Sequence, residues 1–371
     1  MAHRLFSPYT LRDLTLANRI VVSPMAQYSG TADNEANDWH LMHYGNFAVS
    51  GPGLIILEAT AVEPRGRVGL YDVGLWTDAQ QAALARLVSF CRQHGKSALG
   101  IQLAHAGRKA SAAQPWMGGQ YLGEDEGGWL PISSGDVPYP GRPAPKMLGH
   151  EEMEEVKESF VASTRRSEEL GFDLIELHAA HGYFLHSFLS PLSNNRNDEY
   201  GGDLAGRMRY PLEVFAAMRA VWPAHKPLGV RISATDWMEG GWTLDDAVIF
   251  VRELKALGCD YVCASSGGTS PDQKLDVGPG YQVPMARRIR EDAGMPSMAV
   301  GIINEAHQAE QALRDGAADL IALGRGMTYN PRWTWHAAET LREPATFAPQ
   351  YARSHHTLRF GDFFTRPASA R

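Results

Sequence analysis

The chain has 371 residues, 44% of them hydrophobic, enough to bury a large core either as one big barrel or as two medium domains. Asp and Glu outnumber Lys and Arg by 42 to 35, a formal charge of −7. That balance argues against a broad nucleic-acid or anionic-membrane face, while leaving room for a local basic pocket around one phosphate.

In chain order, the first strand is expected at 19–23 and the second at 54–57, both short apolar runs. Residues 78–94 predict an amphipathic helix, with Leu84, Leu87, Val88 and Cys91 at helical spacing and Gly95 as its left-handed cap. A strand follows at 98–103. Residues 115–145 break the rhythm: they are rich in Gly and Pro, carry Trp116 and Trp129, and show no period, which reads as a lid or rim loop. A helix at 151–170 capped by Gly171 leads into a strand at 172–177, and another strand is expected at 228–232.

Thr243 is placed to cap a helix, with Asp246 three residues on. Leu244, Val248, Val251 and Leu254 form its apolar stripe, Gly258 ends it, and 261–264 is the next strand. A strand at 298–300, a helix at 304–316 and a strand at 319–323 complete the series. Near-continuous apolar strands alternating with helices predict a parallel sheet covered on both faces. Eight in series predict the α/β class and a closed (β/α)₈ TIM barrel, with a long excursion after the third strand. One barrel domain over 1–371 is expected, with a C-terminal tail over 345–371. The alternative, a doubly wound open sheet, lacks a G-x-G-x-x-G after any early strand.

Cys91, Cys259 and Cys263 form no C-x₂-C pair, which argues against a zinc ribbon or iron–sulfur cluster and fits a reducing compartment. Residues 1–10 show no signal-peptide pattern, and no run approaches the ~20 apolar residues of a spanning helix. The expectation is a cytoplasmic protein with no membrane or nucleic-acid partner.

Chemistry collects at strand ends, where barrel active sites lie. The last two strands lead into Val300-Gly301 and Gly324-Arg325-Gly326, a pattern suited to a phosphate on backbone N–H groups with a bidentate arginine. His178 and His181 invite a zinc reading, but zincin chemistry needs H-E-x-x-H on a helix, and this pair follows a strand. No metal is therefore expected. Two N–H donors gripping one substrate oxygen, with Tyr183 beside them as an acid, is the other reading, against the plainer one of two packed histidines.

The run Ile175-Glu-Leu-His-Ala-Ala-His-Gly-Tyr183, continuing through His186-Ser-Phe-Leu-Ser-Pro-Leu-Ser-Asn194 to Asn195-Arg-Asn-Asp-Glu-Tyr-Gly-Gly202, closely resembles the old yellow enzyme family. So do Asn18-Arg-Ile-Val-Val-Ser-Pro-Met25, Glu58-Ala-Thr-Ala-Val62, Gln102-Leu-Ala-His-Ala-Gly-Arg108 and Leu323-Gly-Arg325. The matches run in order from Leu5 to about Arg353, and the histidine pair resembles the bacterial xenobiotic-reductase branch.

The resemblance implies noncovalent FMN, NADPH or NADH as electron donor, and small activated alkenes (enones, enals, nitroalkenes) as substrates in a ping-pong cycle. By the same resemblance Ser23, Pro24, Met25 and Ala26 would line the flavin ring, with Ala59 beside it. Gln102 would bond its pyrimidine side, and Arg231 would stand where negative charge builds on reduction. Gly301, Gly324 and Arg325 would hold the phosphate. His178 and His181 would bind the activating oxygen, Tyr28 would lean on the same region, and Tyr183 would protonate Cα while flavin N5 delivers hydride to Cβ. Arg353 resembles a residue that reaches the neighbouring subunit's site, implying a homodimer or homotetramer. One departure stands out: the branch usually has a cysteine where this chain has Ala26. The rival readings are a non-catalytic flavoprotein and a flavin-free aldolase or isomerase, for which Lys109 and Glu58 are the strand-end candidates.

Overall fold

The computed structural model describes residues 3–354, with side chains through 351. Eight parallel strands form its centre: β1 (Ile20–Val22), β2 (Leu54–Ala61), β3 (Ala98–Ala104), β4 (Leu174–Ala179), β5 (Leu228–Ser233), β6 (Val262–Ser265), β7 (Ser297–Ala299) and β8 (Leu320–Leu323). Each pairs with its sequence neighbours and β8 pairs with β1, so the sheet closes into a barrel. Among the described residues no helix is long and apolar enough to cross a membrane.

Strand periodicity splits the core in two. Val21, Leu54, Ile56, Leu174, Cys263, Met298, Leu320 and Ala322 pack in one cluster inside the barrel. Their neighbours Ile20, Ile55, Leu57, Ile175, Val262 and Ile321 belong to a second cluster with the surrounding helices. Both faces are dry, which is why the strands read as unbroken apolar runs. A hairpin of Tyr9–Leu11 with Leu14–Leu16 adds Leu11 and Leu16 to the inner cluster and plugs the end where the strands begin. All three cysteines are buried and free.

Two strands are longer on the C-terminal side than the sequence suggests. β2 continues through Glu58, Ala59 and Thr60 to Ala61, with an irregularity in register between Leu57 and Ala59. β4 includes His178 and Ala179. In both cases a polar residue interrupts the apolar run without ending the ladder. Gly95 is a further correction: its φ is −114°, so it is not a left-handed cap. A Cβ there would come within 2.6 Å of Ala48 O, so close approach of the Asp38–Ala48 helix, not a positive φ, disfavours a side chain. Gly171 and Gly258 do take positive φ. Thr77 and Thr243 each form a capping box, with Gln80 and Asp246.

The excursion after β3 is built rather than structureless. Pro115–Met117 and Glu124–Glu126 are single 3₁₀ turns, and Ile132–Ser133 pairs with Lys146–Met147. Trp129 donates its indole N–H to Arg65 O at 3.2 Å, and the Arg67 guanidinium lies 4.3 Å over the same indole. Arg142 donates to Ala110 O and stands near Tyr139. The segment is a rim pinned to the mouth of the barrel.

Candidate active site

On the inner face of β4, Leu174 is followed two and four residues later by Glu176 and His178, so the lumen turns from apolar to polar as it nears the C-terminal mouth. Glu176 is fully buried and accepts from Gln102 Nε2 at 2.8 Å and from the Tyr261 hydroxyl at 3.1 Å. Burial pushes its carboxyl up, against the pull of the Arg231 guanidinium and these donors. Arg231, from β5, donates to Ser23 Oγ at 2.9 Å, while its buried Nε has no hydrogen-bond partner among the described residues.

Above this layer opens a cavity of about 490 Å³. Ser23, Pro24, Met25, Arg231, Gly301, Gly324 and Arg325 all line it, seven residues singled out from the sequence and drawn from four strand ends. Gly301 has φ +117°, and a Cβ there would sit 2.8 Å from Gln282 Nε2. A Cβ on Gly324 would meet only Met25 atoms, at 3.6 and 3.8 Å, so its surroundings are open. Arg325 is exposed, with no ion-pair partner among the described residues. An elongated anion with a flat polar head fits these donors. The β7 and β8 loops with Arg325 would suit the phosphate end, and the unpartnered Arg231 Nε the head.

His178, His181 and Tyr183 meet beside the cavity. The His178 and His181 rings lie 5.2 Å apart, and the His178 and Tyr183 rings 5.1 Å apart, both nearly perpendicular. His178 Nδ1 accepts the Ala180 N–H at 3.2 Å, which leaves the proton on Nε2. His181 sits at φ +62°, fixed by its own N–H donating to Ser233 Oγ at 2.8 Å. Its Nε2 is 2.7 Å from Ser265 Oγ, so one ring nitrogen is already taken. Burial, followed by the Arg231 cation, holds both imidazoles well below their ordinary pKa, and both are neutral at pH 7. Burial likewise pushes the Tyr183 phenol well up and the Tyr28 phenol to about 12, so both keep their protons.

Ala59 and Tyr183 share a small pocket with His178, while Ala26 and Tyr28 are half-buried in the segment after β1. The Tyr28 ring packs edge-on to Trp116 of the rim, and Gln114 donates to Tyr28 O. Arg353 lies in the short helix Pro349–Ser354, but its side chain falls outside the described residues. The alternative strand-end candidates are both engaged within the protein. Lys109 donates to His181 O and Gly268 O at 2.8 and 3.0 Å. Glu58 accepts from Gln27 N–H and the Tyr44 hydroxyl. The three potential metal ligands that do approach one another among the described residues are the surface groups His150, Asp198 and Glu199, not the histidine pair, and Asp198 is already paired with Arg196.

Sequence reasoning marks Ser265 only as part of a polar strand end, without a role, and misses Gln282. Gln282 accepts from Ser266 Oγ at 2.6 Å and donates to Val300 O at 3.0 Å, joining the β6 and β7 loops under the cavity. The doublet Ser265-Ser266 at a strand end was its available signal; nothing local marks Gln282.

Residues 4–343 match the NADH:flavin oxidoreductase / NADH oxidase family. The NADPH dehydrogenase of Geobacillus thermodenitrificans is 45% identical over 351 residues, covering 94% of this chain and 98% of that protein. The NADPH dehydrogenase of Listeria innocua is 44% identical over 353 residues, covering 95% and 99%. Among solved structures, morphinone reductase in complex with tetrahydroNAD superposes with a TM-score of 0.75 at 26% identity, covering 91% of this chain and 90% of that one. A 2-naphthoyl-CoA reductase shares the fold, with a TM-score of 0.82 at 20% identity over 93% of this chain and 53% of that one.

Proposed function

The chain belongs to the NADH:flavin oxidoreductase / NADH oxidase family and is an FMN-dependent NAD(P)H oxidoreductase of old yellow enzyme type, and on that premise we propose that it reduces activated C=C bonds. What bound FMN supplies is a carrier that takes hydride from a nicotinamide and passes it on, so that the two substrates use one site in turn. Enones, enals and nitroalkenes are the acceptor class, because each carries an oxygen that two N–H donors can grip.

The observation that carries this reading is the convergence of two neutral imidazoles and one protonated phenol beside the arginine-lined cavity. His178 offers Nε2–H. His181 Nε2 lies 2.7 Å from Ser265 Oγ; in this reading Ser265 donates there, which puts the second proton on Nδ1 for the same oxygen. Neutral donors suit a developing enolate: they stabilise its charge without being acidic enough to protonate the oxygen outright. Tyr183 then gives its proton to Cα, and Arg231 stabilises negative charge at the floor of the cavity.

Tyr183→Phe separates the two halves of the cycle. Flavin reduction by NADPH needs no proton from Tyr183, so rapid mixing is expected to show it near normal. Reoxidation by 2-cyclohexenone loses a positioned acid, worth about 10²–10⁴-fold. Equal slowing of both steps would reduce Tyr183 to a wall of the pocket. We further propose a homodimer or homotetramer in which Arg353 of one subunit reaches the next.

A further inference from the structure

One buried carboxyl beside Tyr183 has no part in the reaction as described. Asp72 is 4% exposed. Its Oδ2 accepts the Val68 N–H at 2.6 Å and the Gly69 N–H at 3.2 Å, which fixes the carboxyl plane. Its Oδ1 is buried without a hydrogen-bond partner among the described residues. A buried polar atom of this kind destabilises the fold unless something satisfies it.

Asp72 also lines, with Tyr183 and His178, a pocket of about 10 Å³, roughly the room one water's centre needs. The charged and titratable groups around it are Arg67, Glu58, Tyr28, Tyr183, His105 and His178, and Tyr183 also faces Arg142, Tyr139 and Lys109, whose Nζ lies 4.7 Å over its ring. Arg67 is the cation that acts on the Asp72 carboxyl, and its Nε and Nη1 donate to Pro64 O and Asn34 Oδ1; Lys109 donates to His181 O and Gly268 O.

We propose that Asp72 returns a proton to Tyr183 after each turnover, through one water held in the pocket that both residues line. The inference rests on Tyr183 being the acid. When the Tyr183 O–H bond breaks toward Cα, the phenolate oxygen takes H⁺ from the water. The water takes H⁺ from Asp72 Oδ1, and the carboxylate is reprotonated from solvent. No electrons move in this step, and one proton enters from bulk per alkene reduced. The direction is downhill: burial, against the Val68 and Gly69 N–H groups and Arg67, sets Asp72 at about 6, far below the raised phenol. The proton supply is therefore full below pH 6 and falls as pH rises through it.

Asp72→Asn keeps an oxygen for the Val68 and Gly69 N–H groups and removes the exchangeable proton. In flavin-loaded enzyme the first reoxidation by 2-cyclohexenone is expected within about 2-fold of wild type, since Tyr183 starts protonated. Steady-state turnover is expected to fall at least 10-fold after a burst of one product per site, with tyrosinate visible in the ultraviolet difference spectrum after the burst. Equal loss in the first turnover, or no loss in either, would overturn the proposal. Adding the change to Tyr183→Phe is expected to cost nothing more; a further loss would mean that Asp72 acts elsewhere. If Tyr183→Phe alone leaves the first turnover fast, the acid assignment fails and the relay with it; if it is slow while Asp72→Asn turns over normally, only the relay fails. Should Asp72→Asn not fold, the wild-type pH profile decides. Steady-state turnover limited by the relay falls above pH 6 while the first turnover does not, and two parallel profiles would reject it.

Discussion

Glu58 shows how one residue shapes the mouth of the barrel without facing it. Its carboxyl accepts the Gln27 N–H at 2.7 Å and thereby pins the residue after Ala26, the position where the chain departs from its branch. Tyr44 donates to the other oxygen at 3.0 Å, and His40 Nε2 lies 3.5 Å away. Burial pushes Glu58 up to about 8 and His40 down to about 4, so at neutral pH this contact joins two neutral groups and is not an ion pair. The sign of the linkage follows. A carboxyl raised in the folded state contributes stability that is fully present below its unfolded pKa near ~4.3 and is lost as pH rises through 8, on the order of a few kcal/mol in all. Glu58→Gln keeps an acceptor and a donor but cannot ionise. Thermal unfolding between pH 5 and 9 is expected to show the variant gaining on wild type as pH rises, and parallel curves would remove Glu58 as a buried, protonated acid. The sequence placed Glu58 at the right strand end. It could not show that Tyr44 and His40, one helix away, enclose it.

At the scale of elements, the loops after β4, β5 and β6 are tied together by Asp236. It accepts from Ser190 Oγ and Thr269 Oγ1 at 2.6 Å each and from the Trp242 N–H at 2.8 Å, and it lies 3.2 Å from His186 Nε2. Burial alone would raise its pKa, but His186 and the hydroxyl donors hold it well below the usual carboxylate range. This stability is present above the unfolded pKa near ~3.9 and is lost as pH falls. Asp236→Ala leaves three donors and the buried His186 Nε2 without this carboxylate, and urea denaturation at pH 7 is expected to show a loss of about 3–5 kcal/mol. The partly exposed Asp198–Arg196 pair is a control, expected to cost about 1 kcal/mol or less on Asp198→Asn. A smaller loss at Asp236 than at Asp198 would mean that the loops hold without this knot. Such ties are invisible in sequence because their members are 46 and 33 residues apart. The strands were legible because two dry faces leave an apolar run. The Asp38–Ala48 and Leu204–Val221 helices were not, since the first buries His40, His43 and Tyr44 and the second carries Pro211 in its interior.

Across the whole molecule, closure of the barrel gathers at one mouth residues that are 302 positions apart, from Ser23 to Arg325. The resemblance had named them in advance; the fold gives each a physical place, with Gly301 and Gly324 on adjacent strand ends and Arg231 across the floor. The rim was the least legible large feature, because its order comes from contacts such as Trp129 with Arg65 and Arg67 rather than from any internal period. Coupling between this cavity and the stability of the entire barrel is the last consequence. A ligand that binds only the folded state stabilises it by RT ln(1 + [L]/Kd), about 4 kcal/mol at a thousand times Kd. Stripping FMN is therefore expected to lower the melting temperature and abolish its flavin dependence, and titrating FMN back is expected to restore it as the logarithm of concentration. Riboflavin, which has the ring but no phosphate, tests where the affinity lies. If the β7 and β8 loops hold the phosphate, riboflavin restores much less than FMN at equal concentration. Arg325→Ala, a change at an exposed side chain without an ion-pair partner among the described residues, then lowers the FMN response toward that of riboflavin while leaving the flavin-free melting temperature unchanged. Equal protection by the two flavins would move the phosphate site away from Gly301, Gly324 and Arg325, and a lower flavin-free melting temperature in Arg325→Ala would make that arginine a structural residue instead.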